Sequence, residues 1–175
     1  GNWLRGDTVG LLTAKALKIE ALAVPINANS AIDLCDNFTK VRRTRIGSPY
    51  VIEGMQLLQH QYSSVAGFEA KGGFLLASDI TVNRVELSAL PTRDALLPFI
   101  AIMLLADGKP LSALSRELPQ RFTASERIQN VPAELSQKLL TVAASQPELI
   151  LQQLGMKDIT TQSIDQTDGV RLTLS

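Results

Sequence analysis

The chain has 175 residues, 45% apolar and 19% charged, with 17 lysines and arginines against 17 aspartates and glutamates. That length holds one medium domain or two small ones around a real core, in a composition ordinary for a soluble globular protein. The neutral balance argues against nucleic acid as the main partner, a role that usually needs a basic surface, and no apolar run reaches the roughly 18 residues of a membrane span.

In chain order, Gly6-Asp7-Thr8 opens a helix, with Asp7 or Thr8 able to cap the first turn. Val9, Leu12, Ala16 and Ile19 follow at helical spacing. The apolar run 21–26 reads as a buried strand, 31–37 as a helix capped by Ser30, and 38–43 as a second strand. Gly47-Ser48-Pro49 starts another helix, with proline near the first turn where its missing N–H is harmless. A third strand over 64–68 precedes a glycine-bearing turn and the apolar stretch 74–77. Thr92-Arg93-Asp94 opens a long helix to about Ala106, stopped by Asp107-Gly108-Lys109-Pro110, and 111–118 is a shorter helix.

Strands alternating with helices imply an α/β fold: a mostly parallel sheet with helices on both faces. The pattern changes near Pro119. Residues 121–129 look extended, 132–145 and 148–154 read as helices, and 159–164 with 170–174 read as a hairpin around Thr167-Asp168-Gly169. The expected organisation is an α/β domain over 1–118 and an incomplete α+β domain over 119–175. The chain begins at Gly1-Asn2-Trp3 without a methionine and ends within a strand-like pattern, so both ends read as cut from something longer. No signal peptide is visible. Cys35 stands alone, which rules out a disulfide within the chain and suits a reducing cytoplasm. It reads as a small buried apolar residue rather than a reactive thiol.

Three loops fall on the strand-end rim where ligands of α/β sheets collect. Gly67-Phe68-Glu69-Ala70-Lys71-Gly72-Gly73 sets a carboxylate among glycines that permit a tight turn and close backbone approach. Glu69 could accept hydrogen bonds from vicinal sugar hydroxyls, and Lys71 could donate to a hydroxyl or an anion. The stretch also reads as a plain turn with a solvated Glu/Lys pair, and spacing alone does not choose. Arg42-Arg43-Thr44-Arg45-Ile46-Gly47-Ser48 leads into a helix N-terminus, whose free amides and dipole favour an anion such as phosphate. A solvated basic loop with Ser48 as cap fits it equally. Asn27-Ala28-Asn29-Ser30 lies on the same rim, where an Asx turn is the simpler account. Arg93 can face the cleft or pair with a carboxylate, and structural pairing is the better fit. His60, the single histidine, ends an amphipathic helix and reads as a surface residue. One histidine and one cysteine make no His/Cys metal cluster, and GxSxG, Walker A and Rossmann fingerprints are missing.

Taken in order, these stretches resemble the phosphohexomutase superfamily of phosphomannomutase, phosphoglucomutase and phosphoglucosamine mutase. The resemblance runs through Gly6-Asp7, Thr44-Arg45-Ile46-Gly47-Ser48 with Tyr50-Val51-Ile52-Glu53-Gly54-Met55, and Gly67 to Gly73. It continues in Leu90-Pro91-Thr92-Arg93-Asp94-Ala95 and in Leu118-Pro119 before Ser125-Glu126-Arg127-Ile128. The pattern is most similar to bacterial phosphomannomutases and covers nearly the whole chain. It implies the sugar-recognition domain of a four-domain enzyme, followed by part of the fourth domain without its phosphate-gripping loop. The phosphoserine and the Mg2+ site of three aspartates would lie in N-terminal domains that have no counterpart here, so the resemblance implies no catalytic or metal residue in this chain.

By the same resemblance Glu69 falls on the sugar-hydroxyl acceptor of a Gly-Glu-x-x-Gly loop. Lys71 stands where many relatives have serine or asparagine. Gly47 and Ser48 fall on a second substrate-facing loop, Arg45 on a commonly basic position there, and Asn27 near a position that is lysine in some relatives. The implied reaction interconverts mannose 6-phosphate and mannose 1-phosphate, with a hexose phosphate as substrate and this chain alone inactive. The same resemblance leaves open a glucose- or glucosamine-specific mutase, and the residues alone leave open a non-catalytic α/β binding module.

Overall fold

The computed structural model describes residues 3–156 and 158–175; the expected start of the first domain at Gly1-Asn2 lies outside them. The chain divides into two compact units, one ending at Thr123 and one spanning Ala124–Ser175.

The first unit is built on a five-stranded sheet with helices on both faces. Its elements are α1 (Gly6–Ala16), β1 (Ala21–Pro25), a 3-10 turn (Ser30–Leu34), β2 (Lys40–Thr44), α2 (Ser48–Gln59), β3 (Val65–Phe68) and β4 (Phe74–Leu76). After these come β5 (Ile80–Val82), β6 (Val85–Leu87), β7 (Leu90–Asp94), α3 (Leu96–Ala106) and α4 (Leu111–Arg116). The strand order is β2-β1-β3-β4-β7. β1 pairs parallel with β2 and β3, whereas β4 runs antiparallel to both β3 and β7. β4 alone therefore points against the other four, because the glycine-bearing turn folds β3 straight back on itself instead of crossing over through a helix.

β1 is buried along its whole length, and its side chains alternate between two cores. Ala21 and Ala23 face the cluster under α2, with Val51, Met55, Val65 and Leu75. Leu22 and Val24 face the larger cluster beneath α1 and α3, with Leu11, Leu12, Phe68, Phe74 and Ile102. A central strand covered on both faces reads as a continuous apolar run, as 21–26 does.

Three local differences from the sequence expectation have physical causes. The second helix is only a short 3-10 turn: its cap is Asn29, whose side chain accepts from Ala31 N at 2.8 Å, and Asp33 is drawn to Arg43. Residues 92–94 belong to a strand, not to the long helix, because Leu90 and Asp94 pair with Leu76 and Phe74. The Asp94 carboxylate then caps α3 by accepting from Leu96 N and Leu97 N at 2.8 and 3.1 Å. Pro91 is tolerated because β7 is an edge strand. The β5–β6 hairpin turns on Asn83 and Arg84, both at positive φ of 51° and 68°, in the manner of a type I′ turn without its usual glycine.

The second unit comprises α5 (Ala133–Ser145), α6 (Pro147–Gln153) and the antiparallel hairpin β8 (Thr161–Asp165) and β9 (Arg171–Leu174). Its buried residues, among those described, are Pro147 and Leu151 on α6.

Candidate functional site

The loop between β3 and β4 is shaped by its glycines. Gly72 N donates to Glu69 O at 3.0 Å to close the turn, and Gly72 and Gly73 take φ of 97° and 89°, where side chains are strained. The first turn of α1 backs directly onto this loop. A Cβ at Gly6 would lie 2.0 Å from Gly72 N, so glycine at position 6 is what allows the approach.

Beside this loop opens a cleft of about 580 Å³. Glu69, Lys71, Asn27, Ile46, Arg93 and Asp94 are on its walls. Of the six residues singled out from sequence, three therefore share the cleft: Glu69 and Lys71 from the β3–β4 loop, and Asn27 from the end of β1. Glu69 is largely shielded, with its side chain 16% exposed, and it is not alone: its Oε2 lies 2.6 Å from Arg93 Nη2. The same Nη2 donates to Ser48 Oγ at 3.0 Å, which joins the start of α2 to the Glu69 carboxylate.

Gly47 and Arg45 do not line the cleft. Gly47 caps α2 with φ 128°, and the Arg45 guanidinium stacks over the Tyr50 ring at 5.2 Å, a cation–π contact. Neighbouring Arg43 is committed to structure. It pairs with Asp33 at 2.6 Å and donates to Pro25 O, Ala28 O and Asn29 O, fastening the loop that carries Asn27.

Arg93 is the cleft residue whose place the sequence alone does not disclose. It does pair with a carboxylate, as expected, but that carboxylate is Glu69. The signal is present in Pro91-Thr92-Arg93-Asp94. What the sequence lacks is the β4–β7 pairing that lays Arg93 across Gly73, where a Cβ would meet its Cγ and Cδ at 3.1 and 3.2 Å.

A second cavity, about 330 Å³, lies near Asp7 and Asn29. Asp7 is fully buried and holds structure together: it accepts from Thr8 N at 2.9 Å and Asn29 N at 3.0 Å, and pairs with Arg5 at 3.4 Å. Cys35 is half-buried against the main core, and burial above all pushes its thiol pKa up, with Lys15 opposing and Asp36 adding to the shift. His60 is exposed at the end of α2. Among the described residues, no group of three or more His, Cys, Asp or Glu side chains is arranged to hold a metal ion. No helix among them is long and apolar enough to cross a membrane.

Comparison with known proteins bears on the fold and the family. Residues 5–122 match the family described as phosphoglucomutase/phosphomannomutase, alpha/beta/alpha domain III. A phosphomannomutase of Salmonella muenchen is 44% identical over 174 residues, which is 99% of this chain and 36% of that protein. One of Sinorhizobium fredii is 38% identical over 179 residues, 99% of this chain and 37% of the relative. This chain thus spans little more than a third of the length of either. Among solved structures, a candidate phosphomannomutase of Thermus thermophilus superposes with a TM-score of 0.55 at 17% identity, over 98% of this chain and 33% of that one. The Aspergillus fumigatus N-acetylphosphoglucosamine mutase, solved with GlcNAc-6P and magnesium, gives 0.50 at 13% identity, over 82% of this chain and 39% of that one. At those identities the structural likeness speaks for the fold alone. The chain belongs to the phosphoglucomutase/phosphomannomutase family, and residues 5–122 are its third α/β/α domain.

Proposed function

We propose that this chain is the sugar-reading part of a phosphomannomutase. The observation that carries the proposal is the shielded Glu69 carboxylate on the wall of an open cleft, on a glycine-shaped loop at the end of a parallel-paired strand. The names of the two bacterial relatives support the choice of mannose phosphates.

In this reading Glu69 accepts hydrogen bonds from neighbouring hexose hydroxyls. A carboxylate has about four acceptor positions, so it can serve the sugar in two orientations, as a mutase that turns its intermediate over requires. Lys71 and Asn27 add donors on the same cleft. Ser48 and Gly47 bring the N-terminal end of α2, which favours an anionic group, and Arg45 adds positive charge nearby. The whole enzyme would pass phosphate from a phosphoserine to mannose 6-phosphate or mannose 1-phosphate through a bisphosphorylated sugar. The serine and the magnesium site belong to N-terminal domains of the same protein. The first unit acts as the third domain, which the family match carries to residue 122, a few residues past the boundary at 118 expected from sequence, and the second unit acts as part of the fourth. The whole protein works in the cytoplasm, the compartment that suits a lone reduced cysteine.

Two outcomes follow. The isolated chain turns over no mannose phosphate, and turnover by a preparation free of contaminating mutase contradicts the proposal. It does bind mannose 6-phosphate weakly, and Glu69→Ala weakens that binding about tenfold, the effect of losing a charged hydrogen-bond acceptor. Titration of mannose and glucose phosphates against both proteins measures this, and superimposable curves remove Glu69 from the site.

A further inference from the structure

Glu69 reaches the cleft wall in the company of a guanidinium, and that contact bears on how the carboxylate works. Arg93 leaves β7 one residue before Asp94, which pairs with Phe74 at the far end of the sugar loop. Its aliphatic stem crosses Gly73, whose φ of 89° and missing side chain make room for it. From there one nitrogen, Nη2, meets Glu69 Oε2 at 2.6 Å and Ser48 Oγ at 3.0 Å. A flexible glutamate on a glycine turn has several rotamers open to it. Here it is drawn to a fixed point between β7 and the start of α2.

We propose that Arg93 is a positioning residue for the sugar loop: it ties the Glu69 carboxylate to the Ser48 hydroxyl and so fixes the direction in which Glu69 presents its remaining acceptor positions to a hexose. The proposal rests on the sugar-reading role of Glu69. The guanidinium does not use up the carboxylate, since a single N–H occupies one of about four acceptor positions. Charge-assisted contacts of this kind are short and directional, and a pre-oriented acceptor binds with less loss of side-chain freedom than a mobile one. The Arg93 side chain is 61% exposed, so its packing contributes little to the fold, and its removal leaves Glu69 on the loop but without a fixed orientation.

A double-mutant cycle on the full chain tests this, with mannose 6-phosphate as the probe and affinity read by NMR titration. Arg93→Gln is expected to weaken binding about fivefold to tenfold with an unchanged melting temperature. Glu69→Gln weakens it at least as much, and the double variant binds within about twofold of Glu69→Gln alone, because Arg93 acts through Glu69. Wild-type affinity in Arg93→Gln alongside a weakened Glu69→Gln overturns the inference and leaves the sugar-reading role of Glu69 standing. Losses that multiply in the double variant also overturn it, since they mean the two residues act separately. Wild-type affinity in Glu69→Gln, or no binding by the unsubstituted chain, fails the underlying reading and the inference with it.

Discussion

At the scale of single residues, the cleft depends as much on what is absent as on what is charged. Gly6 has no side chain, so α1 can press its first turn against the loop between β3 and β4. Gly6→Ala puts a methyl group 2.0 Å from a backbone nitrogen that has no flexible end to yield, so the loop must shift. The expected result is about 1–3 kcal/mol of lost stability, measured by chemical unfolding, together with displaced amide signals at 69–73. Unchanged signals there contradict the close approach. Cys35 gives a second test at this scale. Because burial holds its thiol pKa above the ordinary value, less thiolate is present near neutral pH, and alkylation is slower than for a free cysteine. The rate profile against pH should have its midpoint above that of a small-molecule thiol; a midpoint at or below it contradicts the buried setting.

At the scale of elements, the rim of the sheet is held by contacts between loops that are distant in sequence. Arg43 on β2 bonds the carbonyls of Pro25, Ala28 and Asn29 and the carboxylate of Asp33. Arg43→Ala leaves those acceptors short of a donor and is expected to destabilise the first unit by about 1–3 kcal/mol. A loss below about 0.5 kcal/mol, read from the urea midpoint, would show that water replaces the guanidinium without penalty. Elements of this kind mark the boundary of what the sequence reveals. β1, α2 and the long apolar helix are legible because their patterns are set by local spacing and burial. The β3 turn with Glu69 is legible because its glycines cluster. The edge strand β7 is not, because Leu90-Pro91-Thr92-Arg93-Asp94 forms a strand through pairing with β4, a contact between segments distant along the chain. The same missing contact hides the partnership of Arg93 with Glu69. The β5–β6 hairpin escapes notice because its turn is Asn83-Arg84 rather than Asn-Gly.

At the scale of the whole molecule, the two units differ in how much core each has. The first buries β1 and β3 completely and packs clusters on both faces of its sheet. The second, taken by itself, has α5 without a buried residue and leaves Leu135, Leu139 and Leu149 exposed. Burial of apolar area is what offsets the entropy of ordering a chain, so amides of β1 and β3 should exchange far more slowly than those of α5. Equal protection in the two units contradicts this.

Whether the cleft beside Glu69 reads a hexose phosphate can be read from amide chemical shifts mapped along the chain during titration with mannose 6-phosphate. Saturable shifts gathered at 69–73, around Ser48 and at Arg93 and Asp94 are expected. Shifts centred on the cavity near Asp7, or scattered over the surface without saturation, would contradict that reading.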